Sequence, residues 1–352
     1  MNERVERLAH ELDGLAAAAF LVTDPVNALY LTGFESSNAA VLVGRETVRL
    51  LTDGRYITAA RAIEGVEAIQ ADRDVAAFLG ERLGELAEGR VAFEADHLTV
   101  AARDAIAVSG VELVPAVRVV KSLRAVKEDS ELTAVRRAAR ILNEAFERLV
   151  RHGFEGRTEA ELAWWMTAAI HEEGADAVAF DTIVAGGPNA ALPHHHPGSR
   201  AIGPGETVIV DAGAKVGGYH SDCTRTFATG RLPDELQRAY ATCQAAQETA
   251  LAAVRAGASA PDLDAIARRE IEESGIAEVL HGLGHGVGLQ IHELPVLSKT
   301  SDETLAVGNV VTVEPGVYLP GLGGVRIEDL VIVKEGGTEV LTPFTKDLVE
   351  VV

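Results

Sequence analysis

The chain has 352 residues, with 53 acidic against 32 basic side chains and a formal charge of −21. That length suits one large domain or two of ordinary size, and 47% apolar with 24% charged residues excludes a mostly disordered chain. The acidic surplus argues against nucleic acid, whose phosphates need Lys and Arg, and against anionic membrane surfaces.

Val5, Leu8, Leu12 and Leu15 mark one helical face, and Ala19-Phe20-Leu21-Val22 reads as a strand. Asp24-Pro25 supplies a stop, because the residue before a proline is pushed out of helical geometry. Apolar runs at 39–43 and 48–52 flank Gly44-Arg45-Glu46-Thr47, a predicted hairpin. Short strands at 66–70, 91–94 and 111–114, with helices between them, complete an α/β unit. The charged segment Lys121-Ser122-Leu123-Arg124-Ala125-Val126-Lys127-Glu128 then changes the pattern. It places an N-terminal α/β domain over 1–123 and a second domain over 124–352.

In the second domain Leu132, Val135, Ala139, Leu142, Phe146 and Leu149 line a long helix. Thr158-Glu159-Ala160-Glu161 has capping-box spacing, and Gly174 closes that helix. Pro233 and Gly257 frame a third helix, and residues 262–274 form a fourth, stopped by Gly275. Strands are expected at 207–211, 223–227, 310–314 and 325–333. An internal echo links Val208-Ile209-Val210-Asp211-Ala212-Gly213 with Val311-Thr312-Val313-Glu314-Pro315-Gly316. Each is followed by a second acid-bearing strand, around Asp222 and around Glu328.

Two cysteines, Cys223 and Cys243, cannot build a disulfide scaffold and match no thiolate zinc spacing. The N-terminus opens on charged residues rather than a basic n-region. The apolar run 15–22 falls short of the roughly 20 residues a membrane span needs. These features predict a soluble, cytoplasmic protein without membrane attachment.

Asp211 ends an apolar strand and Asp222 begins the next; alone, this pair is read more simply as a turn cap and a solvated acid. Glu314 and Glu328 in matching contexts change that balance, since glutamate fills an apolar strand poorly and clustered buried carboxylates repel. Four acids in two hairpins predict a binuclear metal site. The glycine-rich run 281–293 adds His281, His285 and His292. One imidazole with four carboxylates suits manganese, cobalt or zinc. In Leu192-Pro193-His194-His195-His196-Pro197, His195 and His196 are read as exposed loop residues. No Gly-x-Ser-x-Gly elbow, cysteine nucleophile motif or complete P-loop is present.

With these residues in order, the chain from about Lys127 onward resembles the proline-specific metallopeptidases of the pita-bread fold, aminopeptidase P and prolidase (Xaa-Pro dipeptidase). The resemblance rests jointly on Val210-Asp211-Ala212-Gly213, His220-Ser221-Asp222-Cys223-Thr224-Arg225-Thr226, Gly284-His285-Gly286-Val287-Gly288, Val313-Glu314-Pro315-Gly316 and Gly324-Val325-Arg326-Ile327-Glu328-Asp329. It implies an α+β creatinase/aminopeptidase-like catalytic domain behind the α/β domain, and two divalent cations, manganese first, with cobalt or zinc as alternatives. The implied ligands are Asp211, Asp222, His285, Glu314 and Glu328, with Asp222 and Glu328 bridging. His194 and His292 match the family's substrate-side histidines, Arg326 its arginine beside the bridging glutamate, and His281 a histidine of some aminopeptidase P members. Glu314 is the expected proton carrier, with His292 at the oxyanion and His194 at the substrate carbonyl. The implied partners are peptides with proline second, and a second copy of the chain in a homodimer.

Several dipeptidases resembling this chain carry an arginine shortly after the residue matching His292. Here His292-Glu293-Leu294-Pro295-Val296-Leu297-Ser298 has no base, which favours an aminopeptidase P that takes longer peptides over a strict dipeptidase. A non-catalytic peptide-binding relative is the alternative from another class, disfavoured by the complete ligand set.

Overall fold

The unbroken apolar run of β1 (Ala19–Val22) is buried along its whole length, as a strand covered on both faces must be. In the computed structural model, which describes residues 2–351, it lies inside a six-stranded sheet. The other strands are β2 (Ala39–Gly44), β3 (Val48–Thr52), β4 (Glu67–Gln70), β5 (Val91–Glu94) and β6 (Leu113–Ala116), in the order β4-β3-β2-β1-β5-β6. β2 and β3 form the expected hairpin, and β1, β5 and β6 run parallel. Leu79 and Leu83 of the helix Val75–Leu86 pack with Leu21, Leu42, Leu51 and Phe93 in this unit's core. Burial is worth about 1.5–3 kcal/mol for each large side chain.

Two local expectations shift. Asp24-Pro25 is a start as well as a stop. Asp24 accepts the Val26 N–H at 2.9 Å and caps the helix Pro25–Thr32, where proline costs nothing because a first-turn N–H has no partner anyway. The strand expected at 111–114 falls at Leu113–Ala116. It is an edge strand, which tolerates the missing donor of Pro115.

The chain divides into units Met1–Arg124 and Ala125–Val352. The second opens with the helix Asp129–His152, closed at its start by a reciprocal Glu128–Glu131 capping box. Its buried stripe includes Leu142, Phe146 and Leu149, which pack with Phe154, Met166 and Phe227. The helix Glu159–Glu172 carries the capping box expected between Thr158 and Glu161. Next come β7 (Ala177–Val178) and β8 (Ile183–Gly186).

The sequence echo becomes a structural one. In its first copy β9 (Thr207–Ala212) and β12 (Cys223–Ala228) pair antiparallel around the small hairpin of β10 (Ala214–Val216) and β11 (Tyr219–His220). After β13 (Gly284–Gly286) and β14 (Glu293–Leu297) comes the second copy. There β15 (Val310–Val313) and β18 (Asp329–Lys334) pair around the hairpin of β16 (Gly316–Leu319) and β17 (Gly323–Arg326). The remaining strands are β19 (Gly337–Val340) and β20 (Val349–Glu350). They complete the sheets β20-β12-β9-β8 and β14-β13-β15-β18-β19.

The strand expected over 325–333 is broken into β17 and β18. At the break the Glu328 N–H leaves the ladder and donates to Thr224 O at 3.1 Å, while Glu328 O accepts from the buried Arg225 guanidinium. A continuous strand would carry Glu328 along one sheet; the break ties it across to β12.

Candidate active site

Four elements of the second unit bring the acids together. Asp211 lies near the end of β9, and Asp222 immediately precedes β12, where Thr224 faces Asp211 in register. Glu314 follows β15, and Glu328 immediately precedes β18, where Val313 faces Asp329. All four, with His285 of β13, line one cavity of about 380 Å³, together with His194, His281, His292 and Arg326. Asp211, Asp222 and Glu328 each offer an oxygen within 4.8 Å of the others. His285 and Glu314 adjoin them: His285 Nε2 is 3.2 Å from Glu314 Oε1 and 3.7 Å from Asp222 Oδ2.

This donor set fits cations. Asp211 Oδ1 and Glu328 Oε1 are buried with no hydrogen-bond partner among the described residues. The second oxygen of each is held, by Arg326 Nη2 at 2.7 Å and by Thr224 Oγ1 at 2.8 Å. Burial, joined by repulsion among the neighbouring carboxylates, pushes Asp222 and Glu328 well above the usual carboxyl range, and Asp211 upward. Such a cluster stays ionised when positive charge is added, which divalent cations supply.

Glu314 behaves differently. Burial raises its pKa, but the His285 hydrogen bond and the charges of His285 and Arg326 outweigh that and bring it to about 2. Thr312 Oγ1 also donates to Glu314 Oε1 at 3.1 Å and accepts the His285 backbone N–H at 3.0 Å, tying the Glu314 side chain to the β13 backbone. His285 Nδ1 donates to Gly286 O at 3.1 Å, and Nε2 donates to Glu314. Burial lowers the ring's pKa, but the Glu314 bond and charge outweigh that and raise it, so the ring holds both protons and a cation would take the place of the one on Nε2. β13 can approach this closely because Gly284 has no side chain: a Cβ there would collide with Thr312 O.

Arg326 is nearly buried, its side chain 5% exposed. Besides Asp211 it donates to Thr224 Oγ1, Pro193 O and Tyr318 Oη, each at 3.1 Å. Tyr318 Oη is in turn 2.9 Å from His281 Nε2, and burial pushes its hydroxyl up to about 12. His281 and His292 are both lowered by burial, His292 also by the neighbouring His285, which favours neutral rings. His194 and His292 are exposed at the cavity's rim. The His292 turn is anchored by Glu293, which accepts the Gln290 N–H at 2.8 Å and pairs with the buried Lys127 at 3.3 Å.

Asp222 is 5% exposed, so it is not the solvated acid that its pairing with Asp211 suggests by itself. His195 departs from its expected place. Rather than an exposed loop residue, its side chain is 14% exposed, with Nε2 2.8 Å from the fully buried Glu159. His196 is exposed. Sequence reasoning passed over Tyr318, Thr312, Glu159 and the Lys127–Glu293 pair. Only the position of Thr312, two residues before Glu314 on a strand and so on the same face, offered a signal.

Residues 133–335 match the model of metallopeptidase family M24, and residues 4–126 that of the creatinase/prolidase N-terminal domain. Among curated proteins, the uncharacterized peptidase YqhT of Bacillus subtilis is 33% identical over 350 residues, 98% of this chain and 99% of that protein. Among solved structures, the Xaa-Pro dipeptidase from Bacillus anthracis is 35% identical with a TM-score of 0.94, covering 99% of both chains. The X-Pro aminopeptidase from Thermotoga maritima is 33% identical with a TM-score of 0.88, covering 99% of this chain and 100% of that one. The expected pita-bread architecture is therefore present, preceded in the chain by a creatinase-type α/β domain. The chain belongs to metallopeptidase family M24 and is a hydrolase.

Proposed function

We propose that the protein is an Xaa-Pro aminopeptidase of the aminopeptidase P type, removing the N-terminal residue from tripeptides and longer peptides with proline in second position. The proline preference is supported by relatives described as an Xaa-Pro dipeptidase and an X-Pro aminopeptidase. One observation carries the preference for length: Arg326 is the only permanently cationic side chain lining the cavity among the described residues. Its guanidinium is already engaged by Asp211, Thr224, Tyr318 and Pro193 O. No permanently charged group in the lining is left to pair with the free carboxylate of a dipeptide's proline.

In this reading Asp211, Asp222, His285, Glu314 and Glu328 hold two divalent cations, manganese first, with cobalt or zinc as alternatives. When bound, such ions supply Lewis acidity that polarises a carbonyl and acidifies water. Glu314, kept ionised beside His285, accepts the proton of the attacking water and delivers it to the leaving nitrogen. Neutral His292 donates its ring N–H to the developing oxyanion, and His194 holds the substrate carbonyl from the rim. Arg326 keeps Asp211 oriented, and Tyr318 links that guanidinium to His281.

We also place the protein in the cytoplasm, in keeping with its two free, buried cysteines, and read it as a homodimer, to be checked by light scattering. No helix among the described residues is long and apolar enough to cross a membrane. The function is tested by comparing kcat/KM on Xaa-Pro, Xaa-Pro-Yaa and Xaa-Pro-Yaa-Zaa with manganese-loaded protein. Faster cleavage of the longer peptides is expected; cleavage of the dipeptide alone would make it a prolidase instead.

A further inference from the structure

His194 sits on the segment 186–198, which leaves β8 at Gly186 and after the short 3-10 turn Gly187–Ala191 has no regular structure. An irregular segment holds an imidazole in place only where its backbone is tied down. Glu159, the first residue of the helix Glu159–Glu172, supplies four ties. Its Oε1 accepts Gly186 N–H and Asn189 Nδ2–H, both at 2.9 Å. Its Oε2 accepts His195 Nε2–H at 2.8 Å and Gly198 N–H at 3.2 Å. The bonds grip both ends of the segment and two points between, one of them next to His194.

The carboxylate is not spent on its own helix, which is capped by Thr158 and Glu161. It is fully buried, an expensive place for a charge unless every lone pair is used. Burial raises its pKa, but the four donors outweigh that and bring it below the usual carboxylate value. All four bonds are therefore charge-assisted. The same segment also sends Pro193 O to Arg326 at 3.1 Å, so its placement reaches the residue that orients Asp211.

We propose that Glu159 is a positioning residue for peptide hydrolysis, acting through His194 by clamping the segment 186–198 to the helix Glu159–Glu172. The proposal rests on the peptidase reading above for what His194 does. Glu159→Gln removes the charge and turns one acceptor oxygen into a donor, so it opposes at least one of the four bonds and weakens the others while keeping shape.

Three readouts test the clamp. On Xaa-Pro-Yaa, Glu159→Gln is expected to lower kcat/KM about a hundredfold, the scale of loss for a catalytic group misplaced by about 1 Å, with bound metal unchanged. In a His194→Ala background the same substitution should cost little more, because the two act as one unit. Losses that multiply, or full activity in Glu159→Gln, overturn the proposal. Should Glu159→Gln fail to fold, His195→Ala removes one tie and leaves the carboxylate; a smaller loss, again absent in the His194→Ala background, supports the clamp, and a multiplying loss overturns it. In metal-free protein the Gly186 and Gly198 amides should resist hydrogen exchange and lose that protection in Glu159→Gln; unchanged protection overturns the clamp. A wild-type protein inert toward proline peptides would instead defeat the function proposed above, while amide exchange would still decide the clamp.

Discussion

Arg326 Nη2 donates to Asp211 Oδ2 at 2.7 Å, and the other Asp211 oxygen is buried without a partner among the described residues. One oxygen is thereby fixed and the other presented to the cavity. Lysine carries the charge but cannot span Asp211, Thr224, Pro193 O and Tyr318 with one fork. Arg326→Lys is expected to lower kcat/KM by about a hundredfold or more. Arg326→Met, which strands a buried carboxylate, should lose about 3–5 kcal/mol of stability. Steady-state kinetics and urea unfolding check the two; a lysine variant with wild-type kinetics would refute the role given to the fork.

Removing metal should abolish hydrolysis and adding it back should restore it, with manganese, cobalt and zinc compared side by side. Cations that bind only the folded state also stabilise it, by about 2.7 kcal/mol at a hundredfold excess over Kd, so the melting temperature should rise on loading. Asp222→Asn is expected to weaken both effects. Activity indifferent to chelator, with no thermal shift, would defeat the reading of the acid cluster as a cation site.

Val296 lines the cavity and is 40% exposed, four residues after His292. An arginine there would give the cavity the unengaged guanidinium that pairing with a dipeptide's carboxylate calls for. Val296→Arg is expected to raise kcat/KM for Xaa-Pro about tenfold or more, at the level of one charge-assisted hydrogen bond, and to lower it for longer peptides. A dipeptide rate unmoved by the new charge would argue that the length preference lies elsewhere.

Acid stability should show the pair between Arg136 and Glu339. The guanidinium contributes bonds of 2.6 and 2.8 Å, and Lys334 adds a second cation; together they bring the Glu339 carboxyl to about 2. A depressed folded-state pKa stabilises above the ordinary value and loses that contribution as pH falls from about 4.5 toward 2. Both side chains are more than a third exposed or close to it, so solvent screening limits the effect to below about 1 kcal/mol. Arg136→Ala should therefore lower stability slightly at pH 7 and hardly at all at pH 2, in urea melts at the two values.

The helices were legible where a periodic apolar face coincided with a cap, as at Leu132 to Leu149 behind Glu128 and at Thr158 with Glu161. The helix Pro25–Thr32 was missed because Asp24-Pro25 ends one element and starts another, and the rule for the residue before proline sees only the ending. The strand break at Ile327-Glu328 was illegible for a different reason. Val325 to Val333 is apolar enough for one strand, and only the distant Thr224 O and Arg225 draw the Glu328 backbone out of line.

What the sequence by itself determined is the acids and histidines, because charges placed in apolar strands and glycine-rich turns are costly enough to demand a purpose. The doubling of the strand–acid–hairpin–acid unit was also written there, since local pattern encodes it. Only the tertiary structure decided what surrounds those charges. Glu159 beneath the His194 segment, His281 against Tyr318, and Lys127 under Glu293 come from 36, 37 and 166 residues away. Hydrogen-bond partners of buried charge are chosen by proximity in space, and no spacing along the chain announces them.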